Sequence, residues 1–192
     1  MGALITVQDL EATNNIPATL VQEAMKGNAL AQGQLYELYS KAMFQICIRM
    51  TGNREQAEDL LQDAFILAFK KMHQLKEPLQ FGGWLRRIVV NECIRFSKKQ
   101  IRLEPWEEHL EERSDEEGLA WWKTVSLDML HQQIKGLPDG CREIFNLYAI
   151  EDLGHKEIAQ QLGISESTSK SQYHRAKQLL RTRISTAIQI HG

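Results

Sequence analysis

Apolar residues recur every three or four positions along most of this chain, the spacing that places side chains on one face of an α-helix. The first stripe occupies Leu35, Tyr39, Ala42, Met43, Ile46 and Met50. Gly52 is expected to end this helix, and Asn53 is expected to cap the next one. Further stripes follow at Ala57, Leu60, Leu61, Ala64, Phe65, Ala68 and Met72, and, from a helix starting near Trp84, at Leu85, Ile88, Val89, Cys93 and Phe96. Three such faces can cover one another, so residues 18–100 are predicted to form a helical bundle.

The second half of the chain has the same helical spacing in shorter segments. Gly136 and Pro138 separate the first two segments, Gly163 separates the last two, and Ser165 is placed to cap the final helix. The predicted segments are 122–135, 139–150, 155–162 and 165–185. All four prolines suit element boundaries, and no stretch alternates with the period of a strand. The chain is therefore predicted to be all-α, with two small helical domains at 18–100 and 122–188.

Charge divides the chain in the same places. Residues 1–103 carry thirteen basic and ten acidic side chains, and residues 118–192 carry nine and seven. Residues 104–117 between them carry eight acidic side chains and one basic one. This segment contains Pro105 and little periodicity, so residues 101–121 are predicted to be a flexible acidic linker. Two mildly basic blocks remain, and local basic faces are what nucleic-acid binding requires.

Residues 155–180 have the pattern of a helix-turn-helix. Ile158, Ala159 and Leu162 form one apolar face, Gly163 permits the turn, and Ile164 is expected to fill the space between the helices. On the final helix an inward face is expected at Tyr173, Ala176, Leu180 and Ile184.

Residues 165–184 of that final helix contain five basic residues and one acidic residue, which suits entry into the major groove of DNA. Lys170, Ser171 and His174 are expected on the outer face, nearest to base edges. Arg175 and Lys177 are expected to meet phosphates. A solvated basic helix in an ordinary helical hairpin is the alternative interpretation.

The first domain distinguishes among the many regulators that carry a helix-turn-helix. The string TGNREQAEDLLQDAFILAFKKM at 51–72, followed by FGGWLRRIVVNECIRFSKKQ at 81–100, resembles region 2 of sigma factors. LPDGCREIFNLYAIEDLGHKEIAQQLGIS at 137–165 resembles region 4. The order, the spacing and the acidic linker are similar to those of the minimal extracytoplasmic-function (ECF) sigma factors. That resemblance implies a protein that binds core RNA polymerase and promoter DNA to initiate transcription.

The resemblance assigns the helix at 53–75 to the coiled-coil clamp helices of the polymerase β′ subunit. The residues expected to bind polymerase form a polar and acidic face at Glu58, Asp59, Gln62 and Asp63. Region 4 is expected to contact the β flap, and an anti-sigma factor or another recruiting protein is an expected partner.

The same resemblance assigns the third helix and the loop before it, 76–83, to capture of the unpaired −10 strand. Extruded bases need a pocket and cations that bind phosphate. The residues expected to bind the strand are Phe81, Arg87, Asn91, Arg95 and Lys98. Trp84 is expected in the core, with stacking on a melted base as the alternative.

Three positions depart from the family's usual pattern. The family often has Asp where this chain has Arg95, and Val and Arg where it has Ser169 and Gln172. Loss of an arginine beside the recognition helix removes a potential phosphate contact, so the pattern leaves the exact −35 sequence and the strength of its reading open. These departures keep a second function open: an adaptor that binds polymerase and is recruited by a DNA-bound partner. A conventional helix-turn-helix regulator, which would bind its operator without polymerase, is the third.

No catalytic or metal-binding constellation is predicted. The six histidines lack ligand spacing, no glycine-rich phosphate loop occurs, and most clustered carboxylates lie in the linker. Cys47, Cys93 and Cys141 are far apart and are expected to be buried small hydrophobic residues. No enzyme activity and no cofactor are expected. Neither a signal peptide nor a membrane span is predicted, so a cytoplasmic location is expected.

Overall fold

The computed structural model describes residues 17–100 and 126–191, and two compact units divide the chain after Ser97. Every regular element in these ranges is a helix. The predicted all-α class with two helical domains is therefore confirmed. The boundaries at 18–100, 101–121 and 122–188 stay predictions, because the predicted linker lies outside the described residues.

Within residues 17–97, the first unit contains four α-helices and two single turns of 3₁₀-helix, and the fourth helix continues to Gln100. The helices are α1 at Ala18–Met25, α2 at Ala29–Thr51, α3 at Arg54–Lys71 and α4 at Phe81–Gln100. The 3₁₀ turns at Met72–Gln74 and Pro78–Gln80 lead from α3 into α4. α2 packs against both α1 and α3.

The caps that the sequence predicts are present. Gly52 ends α2 in the left-handed conformation with φ 67°, which glycine adopts at no steric cost. The side chain of Asn53 accepts a hydrogen bond from the backbone N–H of Gln56, 3.1 Å away, and so caps α3. Asn28 caps α2 in the same way through Leu30 and Ala31.

α4 begins three residues earlier than predicted, so Gly82 and Gly83 lie inside the helix and not in a loop. The reason is packing. A Cβ atom at Gly82 would lie 3.0 Å from Cε1 of Tyr39, too close for an ordinary contact. Glycine lowers helix stability by about 1 kcal/mol relative to alanine, and here it allows the Tyr39 ring to lie against the helix backbone. The ring of Phe81 meets Tyr39 edge-on at 5.2 Å.

From residue 126 to residue 191, the second unit contains four α-helices and one π-helical turn. The α-helices are α5 at Leu127–Lys135, α6 at Asp139–Phe145, α7 at His155–Leu162 and α8 at Glu166–His191. The predicted helix 139–150 is helical throughout but changes to a π-helix at Asn146–Ile150. The first predicted segment began at 122, and its residues before 126 lie outside the described residues.

The second unit packs around α8, which contacts α5, α6 and α7. The predicted helix-turn-helix is present: Gly163 makes the turn with φ 74°, and Oγ of Ser165 accepts a hydrogen bond from the N–H of Thr168 at 2.9 Å. The predicted inward face is confirmed for Ala176, Leu180 and Ile184, which are buried, while Tyr173 is half-buried at the edge of this core.

Candidate functional site

The outer face of α3 is polar and acidic. Glu58, Asp59, Gln62 and Asp63 are all exposed, because the buried stripe of the helix faces the opposite way. Glu58 forms an ion pair with Arg54 at 2.7 Å on the solvent-facing surface. No described residue forms an ion pair with Asp59 or Asp63. Both carboxylates are therefore available to a partner.

Ile66 is an exposed apolar residue on the same face, and the sequence prediction missed it. Its side chain is 51% exposed, although the helix has a well-formed buried stripe. It follows Gln62 and Asp63 by four and three positions, so the three side chains are neighbours on the helix surface. The signal was an apolar residue outside the buried stripe. An apolar residue surrounded by acidic and polar ones is a common arrangement at a protein interface.

α4 presents a basic outer face. Arg87, Asn91, Arg95 and Lys98 are all exposed and recur at helical spacing, while Leu85, Val89 and Cys93 are buried on the other side. Arg95 forms an ion pair with Glu92, whose carboxylate is buried. The guanidinium remains largely in solvent. This face carries three cations and one amide in a row about three helical turns long.

Phe81 does not belong to this exposed face. It was predicted to contact DNA, but its ring is 1% exposed and packs against Tyr39. The expectation of a surface position is wrong because Phe81 is the first residue of α4 and turns into the core. Trp84 is half-buried, with its ring 6.0 Å from that of Phe81.

The outer face of α8 contains four of the five residues predicted to read the −35 element. Lys170 is exposed, and His174, Arg175 and Lys177 are half-buried. Lys170 forms an ion pair with Glu166 at 2.8 Å, which raises the pKa of the lysine and lowers that of the glutamate. Nζ of Lys177 lies 4.9 Å above the ring of Tyr173, within the range of a cation–π contact.

Ser171 is the exception, and the prediction that it lies outside is wrong. Its side chain is 7% exposed, and its hydroxyl donates to the backbone carbonyl of Thr168 at 3.1 Å. Ser171 follows Lys170 by one position on α8, and this places its side chain on the buried side of the helix. Its geometry does not support contact with a base.

Ser169 and Gln172 also face the interior. Ser169 is fully buried, and the Gln172 side chain accepts a hydrogen bond from the thiol of Cys141 at 3.0 Å. Burial raises the pKa of the Cys141 thiol, and the charge of Arg175 lowers it by a smaller amount. Neither departure from the family pattern removes a side chain from the outer face. A direct weakening of −35 reading by these two residues therefore has no support in this geometry.

An aromatic cluster joins the π-helix to the two helices of the helix-turn-helix. The rings of Tyr148 and His155 are stacked, 4.1 Å apart and 12° from parallel, and Tyr173 lies 4.5 Å from Tyr148. Burial lowers the pKa of His155, and the charges of Lys170 and Lys177 lower it further. These effects favour the neutral imidazole, against the weaker opposing charge of Glu166.

A helix-turn-helix with a basic outer face, preceded by a helical unit with a second basic face on α4, is typical of a DNA-binding protein. Family models identify the two halves. Residues 35–102 match the model of Sigma-70 region 2, and residues 127–180 match that of Sigma-70, region 4. The chain belongs to the ECF family of RNA polymerase sigma factors, which are non-catalytic factors of transcription initiation.

Two relatives illustrate the extent of the similarity. The chain is 30% identical to the ECF RNA polymerase sigma factor SigW of Bacillus subtilis, over 85% of this chain and 94% of that protein. It is 27% identical to the ECF RNA polymerase sigma factor SigM of the same organism, over 77% of this chain and 91% of the relative. The similarity therefore extends through both units.

Among solved structures, the chain is similar to the sigma factor RpoE of Bartonella quintana in complex with the anti-sigma factor NepR. The identity is 21%, the TM-score is 0.47, and the match covers 78% of this chain and 94% of that one. Within residues 17–100 and 126–191, no helix is long and apolar enough to cross a membrane. The same ranges contain no group of three His, Cys, Asp or Glu side chains that could hold a metal ion.

Proposed function

We propose that the outer face of α3 is the main polymerase-binding surface of this sigma factor and docks on the β′ clamp helices. Asp59 and Asp63 supply negative charge without an ion-pair partner among the described residues, and Gln62 adds hydrogen-bonding capacity. Ile66 provides apolar area that only a partner can remove from water. Charge complementarity would set the orientation, and burial of Ile66 would add affinity.

The outer face of α4 is proposed to bind the unpaired −10 strand. Arg87, Arg95 and Lys98 would meet phosphates, and Asn91 would offer its amide to a base. The buried ion pair partner of Arg95, the Glu92 carboxylate, limits how far that guanidinium moves. Arg95 is therefore proposed to position the backbone of the strand, and Arg87 and Lys98 to supply most of the electrostatic attraction.

α8 is proposed to enter the major groove at the −35 element. Lys170 and His174 lie on its outer face, one turn apart, and would approach base edges. Arg175 and Lys177 would bind the flanking phosphates. Ser169 and Gln172, the two departures that favoured an adaptor with weak −35 reading, are interior residues and do not change the outer face of α8.

The partners follow from these faces. Core RNA polymerase and promoter DNA are engaged together, and region 4 is proposed to contact the β flap. Two moderate DNA contacts suffice on one polymerase, because tethering raises the effective concentration of the second contact. An anti-sigma factor is proposed as the regulatory partner. The protein is proposed to act in the cytoplasm, where polymerase works, and to have no enzymatic activity of its own.

The acidic face of α3 carries this proposal most directly, and charge reversal tests it. Asp59→Arg combined with Asp63→Arg should abolish co-purification with core polymerase, since like-charge contacts at an interface cost several kcal/mol. The matched control is Glu23→Arg combined with Glu37→Arg, which reverses two exposed carboxylates on α1 and α2. Circular dichroism checks that both variants are helical. Retention of core binding by the Asp59/Asp63 variant would refute this assignment.

A further inference from the structure

Cys47 and Cys93 are direct neighbours in the core of the first unit, although 46 positions separate them in the sequence. Cys47 lies on the inward face of α2, and Cys93 lies on the inward face of α4. Both side chains are buried, and neither is joined in a disulfide. Their Sγ atoms are 4.0 Å apart, which is van der Waals contact between two sulfur atoms.

This separation is short enough for a bond to form after a small movement. A disulfide requires the sulfur atoms to approach to about 2.05 Å. Rotation of the two side chains about their Cα–Cβ bonds, with a small shift of α4, can supply the remaining approach. Cysteines whose sulfur atoms pointed apart would need a rearrangement of the helices.

We propose that Cys47 and Cys93 form an oxidation site, at which a hydroperoxide converts the two thiols into a disulfide that joins α2 to α4. One thiolate attacks the terminal peroxide oxygen, the O–O bond breaks, and a sulfenic acid forms with release of water or an alcohol. The second sulfur then attacks the sulfenic sulfur, the S–S bond forms and the S–O bond breaks. The departing hydroxide takes up the remaining thiol proton as water. The two thiols lose two electrons in total, and the peroxide gains them.

Burial controls this reaction and makes it selective. The closed unit excludes the oxidant, so the first attack requires a local opening between α2 and α4. Once the two helices close again, the second sulfur is already beside the sulfenic acid. Disulfide formation therefore precedes attack by another peroxide, which would produce irreversible sulfinic acid.

Cys141 is a built-in control for this proposal. It is as buried as the other two cysteines, but it lies in the second unit and its thiol is hydrogen-bonded to Gln172. The chain has three cysteines, so Cys141 has no cysteine partner within its own unit. Burial raises the pKa of its thiol, which lowers the fraction of reactive thiolate.

The test is treatment of the full-length protein with hydrogen peroxide, followed by thiol counting and peptide mapping without reductant. We expect loss of two of the three thiols and a peptide pair linked through Cys47 and Cys93, both restored by dithiothreitol. Cys141→Ser should form the same bond. Cys93→Ser should form no disulfide and should accumulate sulfinic acid at Cys47.

Thermal unfolding gives a second measurement that does not depend on a variant. The bond closes a long loop and should raise the midpoint of the first unit's unfolding transition, and dithiothreitol should reverse this increase. Retention of all three thiols under peroxide would overturn the proposal. A disulfide that includes Cys141, or one that links two chains, would overturn it as well.

Discussion

The Nδ1 atom of His155 lies 2.9 Å from the Oγ atom of Ser169, so one hydrogen bond joins the two helices of the helix-turn-helix near their N-terminal ends. His155 is the first residue of α7, and Ser169 lies in the first turn of α8. A family valine at position 169 could not form this bond. The departure from the family pattern therefore changes how the two helices are held together and leaves the outer face of α8 intact.

Replacement of Ser169 by alanine should lower stability without changing promoter choice. The lost hydrogen bond leaves the imidazole nitrogen without its partner at a partly buried position, which should cost about 1 kcal/mol of unfolding free energy. The −35 preference should stay the same. Urea unfolding and transcription from a −35 library check the two halves of this prediction. Ser185→Ala, at an exposed serine of the same helix, is the matched control. An altered −35 preference with unchanged stability would show that Ser169 faces DNA.

Stability of the second unit should fall as the pH drops below the ordinary histidine pKa of 6.5. The folded protein holds the pKa of His155 below that value, first through burial and then through Lys170 and Lys177, with Glu166 acting in the opposite direction. Between the two pKa values the unfolded chain binds more protons, so unfolding is favoured as the pH falls. Below the pKa that His155 has in the folded protein, the loss of unfolding free energy stops increasing.

Thermal unfolding at pH 7.5 and pH 5.5 measures this effect, with pH values chosen about one unit either side of the ordinary histidine pKa. His155→Asn, which keeps a polar side chain, should reduce the difference between the two midpoints. His174→Asn is the control, because that imidazole lies on the outer face of α8 and is hydrogen-bonded to Gln178. Equal pH sensitivity of wild type and His155→Asn would contradict the assignment to His155.

The sequence predicted the helices and caps because their determinants are local. Asn53 and Ser165 cap helices through bonds to residues three positions away, which a pattern of residue types reveals. The start of α4 was predicted too late because Gly82 was interpreted as a loop residue. Its role depends on Tyr39, which is distant in the sequence.

The prediction of site residues was less accurate where adjacent positions of a helix differ in exposure. Lys170 and Ser171 are adjacent in the chain, and the first is exposed while the second is buried. Tyr148, which stacks on His155, lies within the π-helix at Asn146–Ile150. Periodicity alone cannot show such a change in helix type.

Glu166→Gln should increase affinity for DNA. The Glu166 carboxylate forms an ion pair with Lys170 and competes with phosphate and base acceptors for its ammonium group. Its removal leaves the lysine available and adds one net positive charge, with the greatest effect at low salt. Fluorescence anisotropy with duplex DNA that contains the −35 element, at two salt concentrations, measures this affinity. Glu157→Gln makes the same change of charge on α7 and should have a smaller effect. Equal gains for both variants would mean that net charge, and not the release of Lys170, is responsible.

Lys170→Ala and Lys177→Ala should affect DNA binding in different ways. Lys170 is proposed to contact a base edge, so its loss should change which −35 sequences are preferred, by about 1–3 kcal/mol for one good contact. Lys177 is proposed to bind phosphate, so its loss should weaken all sequences about equally and reduce the salt dependence. Sequencing of transcripts from a randomised −35 library separates these patterns. A uniform loss for both lysines would remove Lys170 from base reading.

Run-off transcription with purified core RNA polymerase, on a library randomised at both promoter elements, tests whether this sigma factor initiates transcription through the proposed surfaces. We predict that the wild-type protein directs initiation from a subset of templates that share a −35 and a −10 sequence. The variant with Asp59→Arg and Asp63→Arg should give no more transcripts than core polymerase alone. Promoter-specific transcripts that are missing with wild-type protein, or a double variant that transcribes as well as wild type, would refute the proposed function of these surfaces.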